Sequence, residues 1–77
     1  MENSQLVAII SRLDAMIKSA NGEAQSRRFE KDGQERCFVT YDPQTETFEL
    51  EELSNHQKFE FDNIDLATLE IYDLLDY

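Results

Sequence analysis

The sequence predicts an α+β fold of two layers: an N-terminal helix, a four-stranded antiparallel meander and a C-terminal helix, in the order α-β-β-β-β-α. Three observations carry this. Apolar residues recur at helical spacing from Ser4 to Ala20 and again from Ile64 to Leu75. Between these segments they alternate with polar residues at strand spacing. Three turn-like stretches, KDGQ, DPQTET and SNHQ, divide that middle region into hairpin-length pieces. A chain of 77 residues has room for one hydrophobic core, so residues 1–77 are expected to form a single domain.

The first helix rests on Leu6, Ile9, Ile10, Leu13, Met16, Ile17 and Ala20. At ~100° per residue they fill an apolar arc of roughly 120°. Arg12, Asp14, Lys18 and Ser19 take the other side. Asn21-Gly22 should end the helix, with Gly22 in the left-handed region. GEAQS then reads as loop.

A short strand holds Phe29, and the Asp-Gly of KDGQ marks a tight hairpin. In RCFVTY, Cys37, Val39 and Tyr41 alternate. DPQTET turns at Pro43, FELEEL sets Phe48 and Leu50 on one face, and after SNHQ the stretch KFEF does so with Phe59 and Phe61. The inner face is therefore Phe29, Cys37, Val39, Tyr41, Phe48, Leu50, Phe59 and Phe61. Arg28, Arg36, Thr40, Glu49, Glu51, Lys58 and Glu60 fall on the wet face, where Arg–Glu pairs across neighbouring strands are expected.

In FDNID, Asp62 suits the N-cap of the last helix and Asp65 its first turn, where negative charge meets the helix dipole favourably. Phe61 and Leu66 then have the spacing of a hydrophobic staple. Ile64, Ala67, Ile71, Leu74 and Leu75 share the sheet-facing side; Glu70 and Asp73 face away. Leu66 and Leu69 lie off that stripe, so either the first helix covers them or another chain does. Phe38 points opposite to Val39, onto the wet face, and Leu53 joins it. Phe38, Leu53, Leu66 and Leu69 are thus the candidate interface residues of a homodimer.

Charge is divided unevenly. Residues 1–41 hold six acids and six bases; residues 42–77 hold eleven acids and only Lys58, which accounts for the net charge of −10. Such a surface repels phosphates, which argues against nucleic acid and anionic membranes as partners. Two readings of the acids stay open: solubility, or recognition of a basic protein. Glu49, Glu51, Glu52 and Glu60 on the strands, with Glu70, Asp73 and Asp76 on the last helix, form the candidate acidic surface.

Chemistry is thinly represented. His56 is the only histidine and sits in a polar turn with no cysteine or carboxylate at ligand spacing. Cys37 occupies an inward strand position, where thiols are inert core residues, and a base is needed to activate it. Asp62 with Asp65 falls short of the ligand number of a calcium loop. Gly22 and Gly33 lie too far apart for a phosphate-cradling loop. No catalytic residue, metal site or cofactor is expected. No apolar run approaches the 18 residues of a membrane span. MENSQLVAIISRLDAM lacks a basic leader and a cleavage site, so no signal peptide is expected. A lone cysteine suits a reducing, cytoplasmic setting.

The segments RRFEKDGQERCFVTYDPQTETFEL and FEFDNIDLATLEIYDLL, with QLVAIISRLDAM before them, resemble the YkuJ-like family, small uncharacterised cytosolic proteins of low-GC Gram-positive bacteria. The resemblance covers nearly the whole chain, and FDNID with EIYDLL is its most telling part. It implies an α+β fold with an antiparallel sheet and flanking helices, a homodimer and no established activity. It carries over no functional residue. The expectation is a non-enzymatic, homodimeric interaction module. A regulatory module with a small-ligand site at the dimer seam is the alternative.

Overall fold

A computed structural model describes residues 4–75. The elements are α1 (Ser4–Lys18), β1 (Gln25–Lys31), β2 (Gln34–Asp42), β3 (Thr47–Glu52), β4 (Gln57–Phe61) and α2 (Ile64–Leu75). The strands form one open antiparallel sheet in the order β1-β2-β3-β4, as the alternation predicts. Both helices cover the same face. α2 lies across all four strands, and α1 packs beside α2 and over the β1 edge. Connectivity makes the helices run in opposite directions, since α1 ends and α2 begins at the same end of the sheet.

The core is the layer between helices and sheet. Phe29, Cys37, Val39, Tyr41, Phe48 and Leu50 are buried from the sheet side, and Ile9, Leu13, Met16, Ala67, Ile71 and Leu75 from the helices. Phe59 and Phe61, on the edge strand β4, are partly buried against this cluster. All eight residues expected on the inner face therefore lie on it. Thr68, the one buried polar residue among those described, donates its hydroxyl to Ile64 O at 2.8 Å, so no polar group is stranded there.

Turn chemistry sets the register. Asp32 and Gly33 both have positive φ, 56° and 79°, as a two-residue hairpin of matching twist requires. Asp42 Oδ1 accepts from the Gln44 amide at 2.9 Å, and Asn55 Oδ1 from the Gln57 amide at 3.0 Å, closing the other two turns.

Several expectations are corrected. Gln25 and Ser26 of GEAQS are strand, because their backbones pair with Tyr41 and Thr40. The N-cap of α2 is Asn63 and not Asp62: Asn63 Oδ1 accepts from the amides of Asp65 at 2.8 Å and Leu66 at 3.2 Å. The one-residue shift removes the Phe61–Leu66 staple, and Leu66 is exposed. Asp65 keeps its place in the first turn. On α1, Ile10 and Ile17 are not enclosed, because the buried stripe of Ile9, Leu13, Met16 and Ala20 is narrower than the predicted arc.

The expected Arg–Glu ladder is largely absent. Arg28 stands opposite Phe38, with its guanidinium 5.5 Å from the ring centroid, and reaches Glu35 only diagonally at 3.7 Å. Glu51 faces Lys58, but Glu49 faces Glu60, acid against acid. A β-bulge between Phe29 and Glu30 takes Arg36 out of the β1 ladder altogether.

Candidate functional site

Five large apolar side chains are exposed among the described residues, and all five are on the helices. They are Val7, Ile10 and Ile17 on α1, and Leu66 and Leu69 on α2, with fractional exposures of 60%, 38%, 37%, 52% and 56%. Each lies off the buried stripe of its helix, so together they mark the outer side of the helical layer. α1 does not cover Leu66 or Leu69.

The candidate interface residues divide between layers. Leu66 and Leu69 belong to this helical face. Phe38 is half-buried on the opposite, helix-free face of the sheet, under the Arg28 guanidinium. Leu53 is half-buried in the β3–β4 turn, where its amide donates to Arg36 O at 3.1 Å. These four residues do not form one patch, because α2 and the open face of β2 lie on opposite sides of the sheet. Val7 was legible only as an apolar residue beside Leu6 and outside the predicted stripe.

The acids also separate into groups. Glu49 and Glu60 are exposed neighbours on the open sheet face. Glu51 lies on the same face but is engaged: its Oε2 sits 2.9 Å from His56 Nδ1. His56 therefore does meet a carboxylate, brought to it by the turn at positive φ (58°). Glu52 lies on the helix side, opposite Cys37, and accepts from Ser54 Oγ at 3.0 Å. Glu70 and Asp73 are on α2, half-buried and exposed respectively, and Asp76 lies outside the described residues. Strand alternation and helix winding thus break up a run that is continuous in sequence.

Glu49 opposite Glu60 is a like-charge pair that the fold tolerates at some cost. Replacement of Glu60 by lysine converts it to an opposite-charge pair and is expected to raise stability by about 0.2–1 kcal/mol at low salt. Urea titration checks this; equal midpoints for Glu60→Lys and the parent would remove the idea of cross-strand strain.

Cys37 is buried, and its thiol is pushed up to about 12, first by burial and then by the nearby charges of Glu52 and Glu70. At neutral pH it is a protonated core thiol. His56, by contrast, is an exposed turn residue. Among the described residues no group of three or more His, Cys, Asp or Glu is placed to hold a metal ion. No helix among them is long and apolar enough to cross a membrane.

A cleft of about 690 Å³ opens where the β1–β2 hairpin and the β3–β4 turn meet the last turn of α2. Glu30, Arg36, Glu52, Leu53, Ser54 and Leu74 contribute to its walls. Sequence reading missed it, since its walls come from stretches distant in the chain.

Comparison with known proteins places this geometry. The family described as "Protein of unknown function (DUF1797)" matches residues 9–75. The "Uncharacterized protein YkuJ" of Bacillus subtilis (strain 168) is 39% identical over 77 residues, covering 94% of this chain and 98% of the relative. An X-ray structure of the YkuJ protein from Bacillus subtilis superposes with a TM-score of 0.88 at 36% identity, over 95% of this chain and 99% of that one. The likeness spans both helices and the whole sheet, in agreement with the resemblance noted from sequence.

Proposed function

We propose that this chain, which belongs to the DUF1797 family of proteins of unknown function, acts by contact and not by catalysis, as a homodimer joined through its helical layer. The observation that carries the reading is the gathering of Val7, Ile10, Ile17, Leu66 and Leu69 on that layer, with no large apolar side chain so exposed on the sheet face among the described residues.

A second copy is the occupant that charge favours. On its outer side α1 is close to neutral, with Lys18 paired to Asp14 at 2.8 Å and Arg12 held over the Phe29 ring, whereas α2 carries Asp65, Glu70 and Asp73 and no base. A two-fold axis that sets α1 of one protomer on α2 of its partner, and does so twice, keeps the two acidic helices apart. Packing α2 on α2 would align like charges. Helices of 15 and 12 residues are about 22 and 18 Å long at 1.5 Å per residue. Side by side they offer a footprint of about 400 Å², below the ~800 Å² per partner of a standard interface and in the range of weak, transient association.

Cys37, protonated in the core, and His56, bound to Glu51 in an exposed turn, support contact over catalysis. The free cysteine suits a reducing, cytoplasmic setting. The charge of −10 per chain makes a basic protein the fitting further partner and repels nucleic acid and anionic membrane.

Sedimentation at about 50 µM is expected to give twice the 9.0 kDa chain mass. Val7→Glu with Leu69→Glu is expected to leave a folded monomer. Phe38→Glu, on the other layer, is expected to leave the dimer intact. A mass of 9.0 kDa alone at that concentration would sink the homodimer. A dimer that survives the helical substitutions and falls apart with Phe38→Glu would move it to the sheet face.

A further inference from the structure

Three features that are separate in origin meet at the cleft between the β1–β2 hairpin, the β3–β4 turn and the end of α2. The first is the bulge. The register passes from Phe29↔Cys37 to Glu30↔Glu35, so Arg36 has no partner on β1. Bulges of this kind re-aim a side chain, and here the residue set free lines the cleft. The second is an orphan donor. Arg36 Nε is buried and meets no acceptor, the only such side-chain nitrogen or oxygen among the described residues. The guanidinium forms no ion pair with the described carboxylates, although Glu30, Glu35 and Glu52 line the same space. The third is an apolar wall. Leu53 and Leu74 flank the cleft, and Leu53 is drawn there by its amide's bond to Arg36 O.

The chemistry of the walls narrows the ligand. A free cation leaves the arginine fork without an acceptor. A plain anion suits the fork but meets the field of three carboxylates, of which Glu35 alone is ion-paired, to Arg28 at 3.7 Å. A molecule carrying both charges a short distance apart satisfies both sets of groups. We propose that this cleft binds a small zwitterion of the α-amino-acid type with an aliphatic side chain. Its carboxylate lies on the Arg36 fork, its ammonium near Glu30 and Glu52, and its side chain against Leu53 and Leu74. Glu52 is pre-set for this by the Ser54 hydroxyl. To use Nε and a terminal nitrogen together, the guanidinium turns toward the cleft, which relieves the orphan donor. The volume of about 690 Å³ is within the usual range for small-molecule sites. The site lies at the end of the sheet, away from the outer side of the helical layer, so it stands or falls apart from the dimer.

The test uses the full chain, labelled with ¹⁵N, and three probes at up to about 20 mM, where millimolar affinities are visible. L-Leucine carries both charges, N-acetyl-L-leucine lacks the ammonium and L-leucinamide lacks the carboxylate. L-Leucine is expected to shift the amide resonances of Gly33, Gln34, Leu53 and Ser54. Each analogue is expected to bind at least about tenfold more weakly. In folded Arg36→Met the leucine response is expected to vanish, and in Arg36→Lys, which keeps charge but loses the fork, to weaken. Absence of any shift with L-leucine overturns the proposal. So does an equal response to N-acetyl-L-leucine, which would mark a simple carboxylate site, or an unchanged response in either Arg36 variant.

Discussion

Truncation of Phe29 to alanine is expected to cost about 3–5 kcal/mol of folding stability. The ring is fully buried although β1 is an edge strand with only β2 beside it. It stands beside Cys37 in the register, under α1, with the Arg12 guanidinium 5.7 Å from its centroid. Its loss leaves a cavity bounded by a helix and a strand that cannot close on each other without breaking the β1–β2 ladder. Small domains have a total stability of about 5–15 kcal/mol, so this is a large share. Phe38→Ala serves as the comparison. Phe38 is half-buried on the open face, and its removal is expected to cost about 1 kcal/mol, mostly lost contact with Arg28. Urea denaturation of both variants decides the matter. A Phe29→Ala midpoint equal to that of Phe38→Ala would show that α1 does not clamp β1 as described.

Alkaline destabilisation traceable to Cys37 is the second large effect. The folded-state thiol is held at about 12, against an ordinary value of 9.0. Well below pH 9 both folded and unfolded chains keep the proton, and the group contributes nothing to the pH dependence. Above it the unfolded chain ionises first, so stability falls as pH rises from the unfolded value toward the folded one. The loss grows by about 1 kcal/mol for each pH unit above the unfolded value and levels off as the folded value is reached. Tyrosines and lysines also titrate in this window, so the measurement is a difference. Cys37→Ala has a cavity cost that does not vary with pH, and it is expected to lose less stability than the parent between about pH 8 and 10.5. Parallel curves would mean that the native thiol ionises as freely as the unfolded one.

The basis of this effect shows how an acidic sequence becomes local electrostatics. Glu52 and Glu70 are eighteen positions apart in the chain. They raise the same thiol because β3 places Glu52 opposite Cys37 and α2 lies over that strand. Glu49 and Glu60 act on each other on the far side of the sheet. A net charge can be counted without a structure, but which acids add their fields depends on the face each occupies.

Periodicity alone determined the element order, the inner face of the sheet and most of the helical core. Burial selects for alternation in strands and for recurrence at 3–4 residues in helices, and both are local properties of the chain. Asp32-Gly33 and Asn21-Gly22 were legible for the same reason: positive φ has few tolerable residue types. What escaped sequence reading was set by relations between elements. Asn63 rather than Asp62 caps α2 because the cap is chosen by which side-chain oxygen reaches the free amides, and the two neighbours have nearly equal propensity. Ile10 and Ile17 fit the apolar arc of α1 but are left partly open, since how much of an arc is covered depends on where α2 lies. The bulge beside Phe29 turned Arg36 from an expected ladder partner into the unpaired wall of a cleft. That cleft and the outer apolar face of the helices were decided by tertiary structure alone, because docking helices and strands is what brings distant side chains within reach of one ligand or one partner.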